Sequence, residues 1–399
     1  VRATLRAVFG HDDFRAGQAA AVAAVLAGRD ALVVLPTGGG KSLCYQVPAV
    51  MNHRAGRGPT LVVSPLIALM DDQVAALRER GVPATALHSG RKDVDWRALR
   101  DEARGAALIY VSPERLANAR ARAFLRELRP SLAAVDEAHC VSEWGHDFRP
   151  DYLTLHLLKE ELGVPVIALT ATASPAVMEE IGQRLRLRDP TIVQGDFLRP
   201  NLSFRVELVQ KDTARASRIV ALVQETIAAG PGRVVVYAAT RKRVQALATA
   251  LKAAGIRAGH YHAGRTDSAR SNAADAFASG KVPVLVATTA FGMGIDQPDV
   301  RLVLHANAAG SLAAYSQEAG RAGRDGKPAR CVLLYSSADA VTHARLRGSK
   351  PHPGALAGWQ AMQDYVYGAT CRQEAIARWF GGVPRRCGCC DVCVQPAAV

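Results

Sequence analysis

A glycine-rich turn narrows the fold of this chain more than any other feature. It is PTGGGKS (36–42), entered from the aliphatic run ALVVL (31–35) and left through a helix-forming stretch. In such a turn successive backbone N–H groups wrap a polyphosphate, and the following helix N-terminus adds its dipole. The strand that feeds it must end inside a covered sheet, so the turn commits the chain to a parallel α/β architecture. Thr37, Gly38, Gly39 and Gly40 read as the cradle, with Lys41 reaching the outer phosphate oxygens and Ser42 placed to ligate Mg²⁺. The turn is a contracted P-loop, one Gly-x-Gly step being compressed into TGGGK.

Further runs agree with that architecture. TLVVS (60–64), ALIYV (107–111), LAAVD (132–136) and VIALT (166–170) form one series; RVVVY (233–237), VLVAT (284–288), RLVLH (301–305) and CVLLY (331–335) form a second. Continuous apolar strands separated by helical stretches are what sheets covered on both faces require. The expected fold is therefore α/β with two tandem parallel-sheet domains, 1–197 and 198–340, then a small helical module, 341–399. The rhythm lapses at GDFLRPNLSFRVELVQ (195–210), read as the domain boundary, and again at GSKPHPGAL (348–356), read as a linker. Leu356, Trp359, Met362 and Val366 fall on one helical face and read as core.

Two acids, Asp136 and Glu137, end a buried strand ninety-five residues after the P-loop lysine, Lys41. One carboxylate there can hold the metal while its neighbour polarises an attacking water. Arg321 and Arg324 stand three apart in QEAGRAGRDG (317–326), donors of the kind that stabilise transition-state charge on a γ-phosphate. The charge balance, Lys+Arg 50 against Asp+Glu 36 for a net +14, favours a polyanionic partner. With no basic tail, the excess points to a groove made by folding. No apolar run approaches the ~18 residues of a membrane helix. VRATLRAVFG lacks the apolar core of a signal peptide and begins without Met, the expectation for an excised or processed piece.

Together these pieces resemble the superfamily 2 helicases, and the finer motifs resemble the RecQ family over residues 8 to 395. The first lobe contributes FGHDDFRAGQ (9–18), TGGGKSLCYQVP, SPLIALMDDQV (64–74), YVSPERL (110–116), DEAHCVSEWGHDFRPDY (136–152) and LTATA (169–173). The second contributes FLRPNL (197–202), YHAG (261–264), ATTAFGMGIDQPDVR (287–301) and QEAGRAGRDG. The resemblance implies two RecA-like lobes, ATP and Mg²⁺ as nucleotide and metal, and DNA-driven hydrolysis with 3′→5′ movement. It implies that Gln18 reads adenine with His11 and Arg15 beside it, and that Gly294 and Asp296 lie near the nucleotide. Ser64, Pro65 and Arg115 would follow the DNA track, and Thr170 and Thr172 would link hydrolysis to lobe movement. Trp144, His146, Phe148 and Arg149 would form the aromatic-rich loop that senses single-stranded DNA, consistent with base stacking on Trp and Phe. His11 departs from the aromatic, commonly Tyr, that RecQ proteins carry at this point.

Cys44, Cys140 and Cys331 are scattered singly, and the other cysteines crowd into the last thirty residues. That is not the pattern of a secreted disulfide framework, and a reducing compartment is the better reading; the expected location is the cytoplasm, at a bacterial nucleoid. Cys371, Cys387, Cys390 and Cys393 read as C-x15-C-x2-C-x2-C, a structural Zn²⁺ site, with a redox CxxC pair as the competing reading. The RecQ zinc module is similar, with RQEAIARWF (372–380) as its helix. Cys389 adds a fifth thiol, so the choice of Cys390 rests on spacing. RecQ proteins typically continue into a winged helix; a chain that stops six residues after Cys393 is expected to be either a piece cut from a longer protein or a short form. The expected substrates are single-stranded and tailed duplex DNA, with no membrane partner. Rival readings are an ATP-dependent RNA helicase and a non-catalytic scaffold switched by ATP.

Overall fold

The computed structural model describes the chain except residues 89–95, 146, 292–296 and 395–399. It divides into two compact units, Val1–Asp196 and Phe197–Val399. The first unit holds β1 (Ala31–Val34), β2 (Thr60–Val63), β3 (Ala84–Leu87), β4 (Leu108–Val111), β5 (Leu132–Val135), β6 (Val166–Thr170) and β7 (Thr191–Gln194). They form one parallel sheet in the order β3-β4-β2-β5-β6-β1-β7. Every residue of β1 to β6 is buried, as continuous apolar runs covered by helices demand. Burying each such Val, Leu or Ile is worth roughly 1.5–3 kcal/mol against the cost of ordering it.

The second unit holds β8 (Leu202–Leu208), β9 (Arg233–Tyr237), β10 (Ala258–Tyr261), β11 (Val284–Ala287), β12 (Val300–His305) and β13 (Ala329–Tyr335). Its sheet is also parallel, in the order β10-β11-β9-β12-β13-β8. Here the sequence reading needs a correction. The segment 195–210, read as a boundary where strand rhythm lapses, contains β8, paired along its whole length with β13. The reason is that β8 is an edge strand. It buries Leu202 and Phe204 while Arg205 and Leu208 face outward, so it lacks the continuous apolar signature of its neighbours.

The C-terminal helices pack within this same unit. Helix Pro353–Tyr367 buries Trp359, Met362 and Val366, whereas Leu356, expected on that face, is 48% exposed. Tyr365 takes part in the packing instead, its hydroxyl donating to Tyr315 at 3.4 Å on helix Leu312–Ala319. Helix Arg372–Trp379 follows, and Phe380 stacks on Phe197 with ring centres 4.9 Å apart. Among the described residues no helix is long and apolar enough to cross a membrane.

Candidate active site

In the first unit the proposed residues gather at the carboxyl edge of the sheet, where parallel α/β proteins place their ligands. The P-loop leaves β1, Ser64 and Pro65 follow β2, Arg115 follows β4, Asp136 and Glu137 follow β5, and Thr170 ends β6. The loop turns through Gly38 (φ 79°) and Gly40 (φ 73°), left-handed conformations that a side chain would strain, and feeds helix Leu43–Arg54. Gly39 has a different reason to lack a side chain: a Cβ there would stand 2.8 Å from the Pro36 carbonyl oxygen.

Gln18 is buried behind this loop. Its amide donates to the carbonyls of Gly39 (3.0 Å) and Gly40 (2.9 Å) and its oxygen accepts from Arg15 N (2.8 Å). Arg15 also donates through Nη1 to Gly38 O. The two residues therefore brace the P-loop directly, a contact the sequence does not disclose. His11 and Arg15 are exposed. Lys41 Nζ reaches back to Leu35 O at 3.3 Å.

Asp136 is half-buried, and the loss of solvent together with the adjacent Glu137 carboxylate pushes its carboxyl up to about 7 while Lys41 pulls the other way. Glu137 adopts a left-handed backbone (φ 48°), the kind of strain that collects at functional sites. Its Oε2 is buried without a hydrogen bond. A half-buried carboxyl pair beside Lys41, with one oxygen that accepts no hydrogen bond, is a donor set suited to a hard divalent cation.

His139, which the sequence reading left unassigned, joins this pair to the strand beyond. Its Nδ1 lies 3.3 Å from Glu137 Oε2 and 2.9 Å from Thr170 Oγ1. Thr170 Oγ1 in turn accepts from Thr172 N (3.2 Å), so the acidic pair, Thr170 and Thr172 form one connected run. The histidine of DEAH was the available signal.

The aromatic-rich loop is tied to the same acids from the other side. Tyr152 OH donates to Asp136 O at 3.1 Å, and Arg149 N donates to Cys140 O at 2.9 Å. Arg149 Nη1 donates to Pro65 O at 3.3 Å and Nη2 to Asp147 Oδ2 at 3.4 Å. Trp144 is 43% exposed and Phe148 is half-buried. Its backbone is fixed: Trp144 N donates to Ser142 Oγ (3.1 Å), which donates to Glu180 Oε2 (2.6 Å). Arg115 lines a separate cavity of about 380 Å³ with Arg100, Arg120 and Phe124. His146, Gly294 and Asp296 lie outside the described residues.

In the second unit Arg321 is buried and Arg324 half-buried just after helix Leu312–Ala319. Burial pushes the Tyr237 hydroxyl up to about 12, with the nearby Arg321 guanidinium opposing. Two residues of FLRPNL hold the arginine segment in place. Arg199 Nη2 donates to Ala322 O (3.2 Å) and Gly323 O (3.0 Å), and Asn201 Nδ2 donates to Gly323 O (2.8 Å).

The four cysteines of the C-terminal module converge, their sulfurs all within 4.8 Å of one another. Cys371 Sγ stands 3.5 Å from Cys387 Sγ and 3.8 Å from Cys390 Sγ. Four thiolates around Zn²⁺ at about 2.3 Å would be about 3.8 Å apart at tetrahedral angles. The cluster fits that ion. Cys389 turns away, its Sγ 3.4 Å from Leu202 O on β8.

Comparison with known proteins follows the same division of the chain. Family models match in succession: DEAD/DEAH box helicase over residues 15–181, helicase conserved C-terminal domain over 217–326, and RecQ zinc-binding over 337–394. ATP-dependent DNA helicase Q5 of Rattus norvegicus is 41% identical over 431 aligned residues, covering 100% of this chain and 44% of the relative. ATP-dependent DNA helicase RecQ of Bacillus subtilis (strain 168) is 40% identical over 401 residues, covering 98% of this chain and 66% of the relative. The chain thus spans roughly half to two thirds of these relatives' lengths. Among solved structures, the DUF1998 helicase MrfA bound to DNA superposes with a TM-score of 0.69 at 18% identity, over 94% of this chain and 54% of that one. At that identity the likeness speaks for the fold.

Proposed function

The chain belongs to the RecQ family of superfamily 2 helicases, and from that premise we propose that it hydrolyses ATP to move along single-stranded DNA, 3′→5′, and to unwind tailed duplexes in repair or recombination. The single observation that carries the coupling is the double attachment of the acidic pair. His139 ties Glu137 to Thr170 on one side, and Tyr152 and Arg149 tie Asp136 and Cys140 to the aromatic-rich loop on the other.

In this reading the P-loop amides and Lys41 hold the β- and γ-phosphates, and Gln18, Arg15 and His11 receive the adenine. Ser42 and Asp136 hold Mg²⁺, which would neutralise charge on the phosphate oxygens. Glu137 orients the attacking water, and His139 holds its carboxylate in place. Arg321 and Arg324 are the proposed donors of positive charge to the departing γ-phosphate. Single-stranded DNA runs over Pro65 and Arg115, whereas Ser64, expected on the same track, is buried, and one base stacks on Trp144 with Phe148 and Arg149 around it. The displaced loop pulls on Arg149 and Tyr152, and the acids move into register for hydrolysis. Cys371, Cys387, Cys390 and Cys393 hold one structural Zn²⁺, and the protein works in the cytoplasm, at a bacterial nucleoid.

The experiment is phosphate release with and without single-stranded DNA, for the wild type and Trp144→Ala. The wild type should be stimulated, and the variant should keep its basal rate and lose most of the stimulation. Equal stimulation in both would remove Trp144 from the sensor, and no stimulation of the wild type would refute the proposed function.

A further inference from the structure

Just past the acidic pair, His139, Cys140 and Asp147 each bring a ligand atom to within 4.8 Å of the others. Cys140 Sγ is 3.9 Å from His139 Nε2 and 3.9 Å from Asp147 Oδ2. Around a tetrahedral Zn²⁺ with Zn–S about 2.3 Å and Zn–N or Zn–O about 2.0 Å, such donors stand about 3.3–3.6 Å apart. The two distances to Cys140 Sγ are therefore a few tenths of an ångström wider than in a ligated set. His139 and Cys140 are fully buried and Asp147 is half-buried, so an ion would enter on the Asp147 side.

A second observation concerns the imidazole. Its Nδ1 is engaged by Thr170 Oγ1 and Glu137 Oε2, and its Nε2 stands 3.9 Å from Cys140 Sγ. A metal-binding histidine has this arrangement, one nitrogen on the ion and the other held by a carboxylate or hydroxyl that fixes the ring.

We propose that His139 Nε2, Cys140 Sγ and Asp147 Oδ2 form a second metal site, separate from the four-cysteine cluster, for a borderline-soft divalent cation such as Zn²⁺. The mixed sulfur, nitrogen and oxygen donors suit that class rather than Mg²⁺. Water completes the fourth position. Binding converts the Cys140 thiol to thiolate and releases its proton to solvent. Asp147 Oδ2 exchanges its long 3.4 Å contact with Arg149 for the ion, while Arg149 retains Pro65 O. The occupied site pins the aromatic-rich loop to His139, and through Nδ1 it holds Glu137 away from water. Zinc there is a brake on DNA-stimulated hydrolysis. That consequence rests on the proposed function; the metal count does not.

The test uses the full chain carrying its first zinc. Equilibrium dialysis against micromolar free Zn²⁺ should give two ions per chain in the wild type and one in both Cys140→Ser and Asp147→Asn. The ion that remains reports that the variants are folded. Co²⁺ added to the singly zinc-loaded wild type should produce a thiolate-to-cobalt absorption band that both variants lack. A wild type that takes up one zinc, or a second zinc that survives both substitutions, overturns the site. In the activity arm the second zinc should lower DNA-stimulated turnover by about fivefold or more, the lower end of common coupling between sites, with little change in KM for ATP. Turnover unaffected by a bound second zinc overturns the brake. A chain with no DNA-stimulated hydrolysis at all refutes the proposed function, and the metal count then still decides the site.

Discussion

Asp391→Ala should loosen the zinc module from the second sheet, and the structure sets the size of the effect. Asp391 accepts from Arg372 Nε at 2.9 Å and Nη2 at 3.2 Å, a two-pronged pair with side chains only 14% and 8% exposed. The same carboxylate accepts from Val206 N on β8 at 2.9 Å, so it joins the module to the edge strand. Removing one partner of a buried ion pair costs about 3–5 kcal/mol. Arg372 would keep the Gly368 carbonyl at 3.3 Å and the Tyr365 ring at 5.4 Å, which pulls the cost toward the lower end. The orphaned Val206 N–H adds about 1 kcal/mol, so the total stays near 3–5 kcal/mol. For a unit of this size each kcal/mol moves the midpoint by about 2–4 °C, so melting of the second unit should fall by roughly 6–20 °C. The assay is thermal unfolding by circular dichroism, with zinc release followed by a chromophoric chelator in the same scan. Zinc should leave at the lower temperature too, because Arg372 N donates to Cys390 Sγ at 3.5 Å. A midpoint within about 2 °C of wild type, about half a kcal/mol on the same scale, would refute the reasoning.

Three further outcomes follow from the same geometry. Without metal, the Asp136 carboxyl sits at about 7 in the folded chain, above its ordinary value of 3.8, because of burial and Glu137. A raised carboxyl costs nothing below the ordinary value, costs progressively more as pH rises toward 7, and levels off above it. Asp136→Asn should therefore stabilise the metal-free protein more at pH 8 than at pH 5, by a few kcal/mol at most, while abolishing hydrolysis; equal midpoint shifts at the two pH values would contradict this. Glu137→Gln should still bind ATP but hydrolyse it about 10²–10³-fold more slowly, as single-turnover phosphate release would report; a near wild-type rate would remove its role. After dialysis against zinc-free buffer, Cys389→Asn should retain the four-cysteine zinc and Cys390→Asn should lose it, measured by metal content; the reverse result would shift the ligand register by one residue.

The parts of this molecule that could be read in advance were those whose physics is local. Uninterrupted runs such as ALVVL and LAAVD are buried strands because both faces are covered, and Lys41, Asp136 and Glu137 sit where those strands end. Cys390 could be preferred over Cys389 by spacing, and Cys389 does face Leu202 instead of the cluster. What escaped depended on partners distant in sequence. Edge strand β8 alternates, so it resembled a linker until its pairing with β13 was seen. Leu356 shared a helical face with Trp359 on paper, yet about half of it is open to solvent. Gln18 against the P-loop carbonyls, Arg199 and Asn201 against the Arg321 segment, and His139 between Glu137 and Thr170 are all contacts across the fold. No spacing rule reveals them.

Strand separation is the most direct measurement of the central claim. A duplex with a 3′ single-stranded tail and one with a 5′ tail are each mixed with the protein, ATP and Mg²⁺, alongside an RNA duplex of matched sequence. The 3′-tailed DNA should be unwound, the 5′-tailed DNA and the RNA should not, and Lys41→Ala should remove the activity. Unwinding of the RNA in preference to the DNA, or separation that persists in Lys41→Ala or without ATP, would contradict the account.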